Sequence, residues 1–261
     1  MSQLMCKNIY KNKLIFIYIM DLLDKNGYVF LKGVIKEDII NYTNSQINNY
    51  LRDEHIFTKI RNREDMKEDR YYVNNNYSIL NSFNKIQYYR VPVFNVGGNK
   101  DTVTNKGLIE VYNPERIMTF INSSIDVNLL KVILKRLTGI NWKMSRMNLK
   151  FSNGVVQPEK VHKDDQETCL KCCIYLSNVA TNNQGSQIFI EGSHRDQEAI
   201  HNRKNLKFFT GSKGDILISF QNGYHGRNPN PGMITAYLVI NFVPVNVRYS
   251  KFNDYLSRVE M

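Results

Sequence analysis

His162 and Asp164 stand with one residue between them, and His225 lies far downstream in Gly223-Tyr224-His225-Gly226. Successive side chains of an extended segment point to opposite faces. In Val161-His162-Lys163-Asp164-Asp165 the imidazole and the first carboxylate therefore share a face, with Lys163 turned away. Two such groups can occupy adjacent corners of one metal ion. A third ligand from a later strand completes a facial triad and leaves about three positions open, the arrangement of non-haem Fe(II) oxygenases. His225 is the candidate third ligand. Asp165 is a rival carboxylate, but the two-residue period of a strand favours Asp164. His194, in Gly192-Ser193-His194, reads as a turn residue, and His55 and His201 sit in no supporting pattern. His-x-Asp occurs often by chance, so the weight falls on the elements that must bring the three side chains together.

Those elements are strands. After Gly139 the chain becomes a series of short strand-like runs over 161–164, 169–176, 186–190, 215–220 and 235–243, parted by Gly, Asn and Pro turns. Regular short strands of this kind point to an antiparallel sandwich or barrel. Trp142 to Phe151 alternates strongly, with Trp142, Met144, Arg146, Asn148 and Lys150 on one face. If that face lines the barrel, Arg146 and Lys150 meet an anionic substrate; if it faces solvent, they are ordinary surface charges.

The first half reads differently. A helix over 14–25 stops at Asn26-Gly27, and a strand follows over 28–35. Residues 36–51 repeat apolar side chains at helical spacing. Asn113-Pro114-Glu115 opens a helix that runs to Ile121, with Asn at the cap and Pro at the first position. Another helix spans 126–137 and ends at Gly139. Residues 52–77 read as a charged loop, 78–90 as helix or strand, and 96–100 as a turn.

Length and composition narrow the class. The 261 residues make one domain: a helix-rich part over 1–140, a β core over 141–245 and a tail over 246–261. The formal net charge is +11, which reads either as a solvated surface or as suiting an anionic partner such as nucleic acid, phosphate, a coenzyme A ester or a nucleotide sugar. The basic residues make no run of four and no nucleic-acid-binding motif is present, so nucleic acid is not the expected partner. Cys6, Cys169, Cys172 and Cys173 make no disulfide framework and no closed zinc site. Cys169 and Cys172, in a strand-like apolar run, read as buried free thiols, which fits a cytoplasmic location. The apolar run Leu14 to Met20 is broken by Asp21 and is far shorter than the roughly 20 residues of a membrane span. It reads as the buried side of a helix rather than a signal peptide.

The order of motifs resembles the phytanoyl-CoA dioxygenase family of Fe(II)/2-oxoglutarate oxygenases. The likeness lies in His162-x-Asp164, then Gly185 through Glu191-Gly192-Ser193-His194, then Gly214-Asp215 before His225. Glu191 stands where that family usually has Pro. Asn26-Gly27-Tyr28-Val29-Phe30 looks like the family's opening strand, and the likeness covers most of residues 20–243. It implies a double-stranded β-helix (a jelly-roll barrel) with N-terminal helices on one sheet. It implies iron held by His162, Asp164 and His225, with 2-oxoglutarate decarboxylated to succinate as O2 oxidises a substrate C–H bond. An Asp at the carboxylate position favours hydroxylation or another oxidation over halogenation.

One departure opens an alternative. The family's Arg on the last strand, which grips the far carboxylate of 2-oxoglutarate, has no counterpart in Met233-Ile234-Thr235-Ala236-Tyr237. Arg227 is the expected replacement, helped by Thr235 and Asn148. Otherwise the scaffold uses another cosubstrate or none, and serves as a metal-containing ligand-binding protein.

Overall fold

Alternation along the later strands sorts their side chains between two cores. A computed structural model describes residues 13–53, 70–74, 93–97, 108–154, 158–159, 161–164 and 169–246. In chain order these form helix α1 (Lys13–Asn26), strand β1 (Tyr28–Leu31), helix α2 (Glu37–Asp53), and strands β2 (Arg70–Asn74), β3 (Val93–Gly97) and β4 (Leu108–Tyr112). Helices α3 (Phe120–Ser124) and α4 (Val127–Thr138) follow, then strands β5 (Trp142–Asn153) and β6 (Leu170–Tyr175). Strands β7 (Gln187–Ile190), β8 (Leu206–Phe209), β9 (Ile216–Phe220), β10 (His225–Arg227) and β11 (Ile234–Pro244) complete the fold.

The larger sheet has the order β1-β9-β6-β11-β5-β4-β3-β2, and the smaller β10-β7-β8. Neighbouring strands pair antiparallel. Residues 172, 174, 216, 218, 238, 240 and 242 of the large sheet point outward into one core, against Leu23 of α1, Ile40 and Ile47 of α2 and Leu130, Ile133, Leu134 and Leu137 of α4. Residues 173, 175, 217, 237 and 239 point the other way, toward Phe189 of β7 and Phe209 of β8. Each fully buried Leu or Ile contributes about 1.5–3 kcal/mol, so the helix-covered core dominates the stability of the sheet. The helices cover one sheet from outside, as expected.

Gly214-Asp215 closes the first strand onto this frame. A Cβ on Gly214 would lie 1.9 Å from the carbonyl oxygen of Ile35, and the residue has φ +86°, so only glycine fits. Asp215 accepts from the backbone of Gly33 at 2.8 Å and of Ser212 at 2.9 Å, and pairs with Lys32 at 3.1 Å. These bonds turn the chain away after Leu31, which is why β1 stops short of the 28–35 span that its composition suggests.

Other boundaries also differ from the sequence expectation. The helix expected from Asn113 to Ile121 is a single 3-10 turn over Pro114–Arg116 followed by the separate α3. Asn113 adopts φ 53°, a left-handed conformation that cannot start an α-helix. Strand β2 occupies part of the stretch read as a charged loop, and β3 reaches into the expected turn over 96–100. The extended run 161–164 reduces to one bridge at His162. Residues 78–90, His55, Asp165, Cys6 and the tail beyond 246 lie outside the described residues. Cys169, Cys172 and Cys173 are buried and in no disulfide, as their apolar setting suggests. Among the described residues no helix is long and apolar enough to cross a membrane.

A bulge divides β5. Its pairing with β11 puts Asn241 opposite Arg146 but Phe242 opposite Met144. Ser145 is the extra residue, and its hydroxyl donates to the Asn241 carbonyl at 3.1 Å. One inserted residue reverses the facing of everything beyond it. Arg146, Asn148 and Lys150 therefore line the space between the sheets, whereas Trp142 and Met144 join the helix-covered core. The five do not share one face as their strict alternation suggests.

Candidate metal centre

Strand β10 carries His225 and is paired on both edges. On one side His225 faces Phe189 and Arg227 faces Gln187 of β7. On the other, His225 and His162 exchange backbone hydrogen bonds, each N–H donating to the other's carbonyl at 2.9 Å. Residues directly opposite in an antiparallel pair present their side chains to the same face. The two imidazoles consequently lie with centroids 4.7 Å apart. Asp164 follows two residues on, anchored by its N–H to the Gln221 carbonyl at 3.2 Å. Its carboxylate oxygens are 3.8 Å from His162 Nε2 and 3.4 Å from His225 Nε2. One donor atom from each residue lies within 4.8 Å of the others, which fits a single ion.

The Gly-Ser-His turn and the loop before His225 hold this geometry. Ser193 Oγ accepts from the backbone N–H of Tyr224 at 2.8 Å, and Asn222 Nδ2 donates to the His194 carbonyl at 3.0 Å. Gly223 lies so close to the Phe189 ring that a Cβ there would come within 2.2 Å of it. His194 is a turn residue, as read from sequence: its Nε2 bonds the Asp24 carbonyl at 2.9 Å and its ring stacks on Phe220. His201 is exposed and pairs with Glu198 at 3.6 Å.

Protonation states suit a metal. His225 Nδ1 is 2.9 Å from the Gly223 carbonyl, which can only accept, so Nδ1 carries the proton and Nε2 offers its lone pair to the site. Burial, and next the charge of Lys171, lower the affinity of His225 for a second proton. Burial opposes ionisation of Asp164, but the neighbouring Lys171 charge helps outweigh it and hold the carboxyl well below the usual carboxylate range. A neutral imidazole at His225 and an ionised carboxylate at Asp164 are the forms that bind a divalent ion.

The triad opens into a cavity of about 190 Å³, lined mainly by polar side chains from β4, β5, β6, β10 and β11. Lys150 pairs with Glu110 at 2.7 Å, and Tyr112 donates to the other oxygen of Glu110 at 2.8 Å. Glu159 also faces this space; burial opposes its ionisation, but Lys150 and Arg227 lower its pKa overall. Arg227 is 4% exposed, donates through Nη1 to Ser152 Oγ, and leaves its Nε with no hydrogen-bond partner. Asn148, also 4% exposed, has an Oδ1 with no partner. The structure thus brings Arg227 and Asn148 into the triad's pocket. Thr235 is fully buried outside that lining, its hydroxyl accepting from Asn230 Nδ2 at 3.0 Å. Asn230 Nδ2 also donates to the Ser152 carbonyl at 2.8 Å, so Thr235 reaches Arg227 through Asn230 and Ser152.

Sequence reading missed Lys171, Glu110 and Glu159 as pocket residues. Lys171 Nζ lies 2.8 Å from His225 Nε2 and 3.7 Å from Asp164 Oδ2. Its signal was present but faint: in β6 it alternates with Cys173 and Tyr175, which face inward. Glu110 and Glu159 had none, because neither carries a motif.

No family model matches the chain, and no curated protein does. Solved structures do. AviO1 from Streptomyces viridochromogenes Tue57 is similar at 16% identity and TM-score 0.62, over 91% of this chain and 98% of its own. The non-haem alpha-ketoglutarate-dependent carbocyclase SnoK from nogalamycin biosynthesis is similar at 12% identity and TM-score 0.60, over 90% of this chain and 84% of its own. EctD from S. alaskensis, solved with 2-oxoglutarate and 5-hydroxyectoine, is similar at 16% identity and TM-score 0.56, over 85% of this chain and 74% of its own. Two facing antiparallel sheets, with the chain passing between them and helices on one outer face, give this protein the double-stranded β-helix fold that these structures share.

Proposed function

We propose that this protein is an Fe(II)- and 2-oxoglutarate-dependent oxygenase that oxidises a C–H bond of a polar small molecule, with hydroxylation as its reaction. The observation that carries the reading is the convergence of His162, Asp164 and His225 at the mouth of a pocket with the buried Arg227 behind them. Two solved structures of the same fold support the cofactor choice: one is named as alpha-ketoglutarate-dependent and one holds 2-oxoglutarate. Bound together, Fe(II) and 2-oxoglutarate activate O2, and the cosubstrate leaves as succinate and CO2.

The chain's own residues supply positions and charge. His162 and His225 are held face to face by the backbone bonds between their strands, and Asp164 provides the anionic ligand. Arg227 binds the far carboxylate of the cosubstrate through its unpartnered Nε, a charge-assisted contact stronger than a neutral hydrogen bond. Ser152, Asn230 and Thr235 hold the guanidinium in place. Asn148 accepts a hydrogen bond from the bound molecules through its unpartnered Oδ1. The aromatic core of Tyr175, Tyr237, Phe189 and Phe209 closes the barrel beyond the pocket and excludes water from that end. Lining side chains are almost all polar, with Val239 the apolar exception, which suits a polar, charged substrate over a fatty acyl chain.

The rival reading is a scaffold that binds metal and ligand without 2-oxoglutarate, and β11 favours it by offering no Arg or Lys from Ile234 to Pro244. Anaerobic titration of the Fe(II)-loaded protein with 2-oxoglutarate separates the two. A visible charge-transfer band in wild type that weakens in Arg227→Ala, with succinate formed on admitting air, is the expected result. Iron bound through the triad with neither band nor succinate overturns the oxygenase reading.

A further inference from the structure

Among the described residues, Lys171 is the cation whose charge sits between donor atoms of the triad. Its backbone is fixed in the middle of the large sheet, opposite Asn241 of β11 and Ser219 of β9. Its Nζ approaches His225 Nε2 at 2.8 Å and Asp164 Oδ2 at 3.7 Å. With Nδ1 protonated toward Gly223, His225 has one ring lone pair left, on Nε2. That lone pair accepts a hydrogen bond from the ammonium or coordinates a metal at about 2.0–2.1 Å, and it cannot do both. Four methylenes of flexible stem let the ammonium withdraw without moving the strand.

The charge of the pocket says what the displaced ammonium meets. Arg146, Lys150, Lys171 and Arg227 face Glu110, Glu159 and Asp164, four cations against three carboxylates. Glu110 is already held by Lys150 and Tyr112. A divalent ion at the triad adds two positive charges and takes Asp164 from Lys171. The pocket is then strongly cationic, and a dianion beside the metal restores its balance.

We propose that Lys171 is a tethered counter-ion that exchanges with the metal at His225 and Asp164 and then binds an anionic ligand next to it, so that metal and dicarboxylate load cooperatively. This rests on the metal-centre reading above. Loading is reciprocal: the anion tightens the metal as much as the metal tightens the anion.

The test is Mn(II) affinity, followed by the EPR signal of free Mn(II), for wild type, Lys171→Met and Lys171→Gln, each with and without 2-oxoglutarate. Two replacements guard against one failing to fold, and a thermal melt checks each. In wild type, 2-oxoglutarate tightens Mn(II) on the order of 10-fold. Both variants bind Mn(II) alone several-fold more tightly than wild type and gain much less from 2-oxoglutarate. Unchanged or weaker Mn(II) affinity in the folded variants overturns the exchange, and an undiminished gain from 2-oxoglutarate overturns the coupling. Failure of the underlying reading looks different: wild type then binds no Mn(II) that His225→Ala removes.

Discussion

At the scale of single residues, the pocket is held by opposite charges that cannot be removed one at a time. Lys150 and Glu110 meet at 2.7 Å with side chains 27% and 8% exposed. Breaking a buried pair leaves a stranded charge and costs about 3 kcal/mol or more, whereas replacing both partners by apolar groups is close to neutral. Lys150→Met is therefore expected to lower unfolding stability in urea by about 3 kcal/mol, and the double variant with Glu110→Leu to recover most of it. Equal stability of the two variants would contradict a paired role. Glu159 makes a pH-dependent contribution. Its folded pKa lies below the ordinary 4.5 because Lys150 and Arg227 outweigh the effect of burial. A group of that kind stabilises the fold above its unfolded pKa and loses the contribution as pH falls through its folded pKa. The stability gap between wild type and Glu159→Gln, measured in urea, should be present at pH 7 and close as pH drops below about 4. The pairing of His162 with Asp164 was readable from sequence because a two-residue period is a property of any strand, and His225 was suggested by the order of the motifs around it. Lys171 was not, because its neighbours Leu170, Cys172, Cys173 and Ile174 read as a plain buried strand.

At the scale of elements, one inserted residue decides what the pocket contains. Ser145 makes the bulge that sends Arg146, Asn148 and Lys150 inward and Trp142 and Met144 toward the helices. Deleting Ser145 restores a continuous register and cannot satisfy both sets. Trp142, 4% exposed, would be turned out of its core. Loss of a buried large aromatic costs about 3–5 kcal/mol, so the deletion should lower the urea midpoint by a large fraction of total stability. A midpoint within error of wild type would show that the bulge is dispensable. Alternation alone could not reveal the bulge, since Trp142, Met144 and Arg146 keep the spacing of one face whether or not the partner strand is in step. The motif segments were visible, but their task was not. Gly214-Asp215 anchors β1, and Gly192-Ser193-His194 braces the loop that presents His225.

At the scale of the whole molecule, ligand binding and stability are linked. A ligand that binds only the folded state stabilises it by about 2.7 kcal/mol at one hundred times its Kd. For a chain of 261 residues that corresponds to a rise in Tm of roughly 5–10 °C. Saturating Mn(II) with 2-oxoglutarate should give such a rise in wild type and none in a variant carrying His162→Ala and His225→Ala. An equal rise in both would place the metal elsewhere. Little of the net charge of +11 lies in the pocket, where four cations face three carboxylates.

The sequence by itself determined the antiparallel β character of the second half and the pairing of His162 with Asp164 on one face, because both follow from local periodicity, whereas His225 as the third candidate ligand followed from the resemblance in motif order. Alternating strands bury one face, and His162 and Asp164 share a face two residues apart. Only the tertiary structure decided which charges surround the metal ligands. Lys171, Glu110, Glu159 and Arg227 come from different strands or segments, and their meeting depends on sheet order and register. A shift of one residue in register, such as the one at Ser145, moves a charge from a cavity to a core without altering any local pattern.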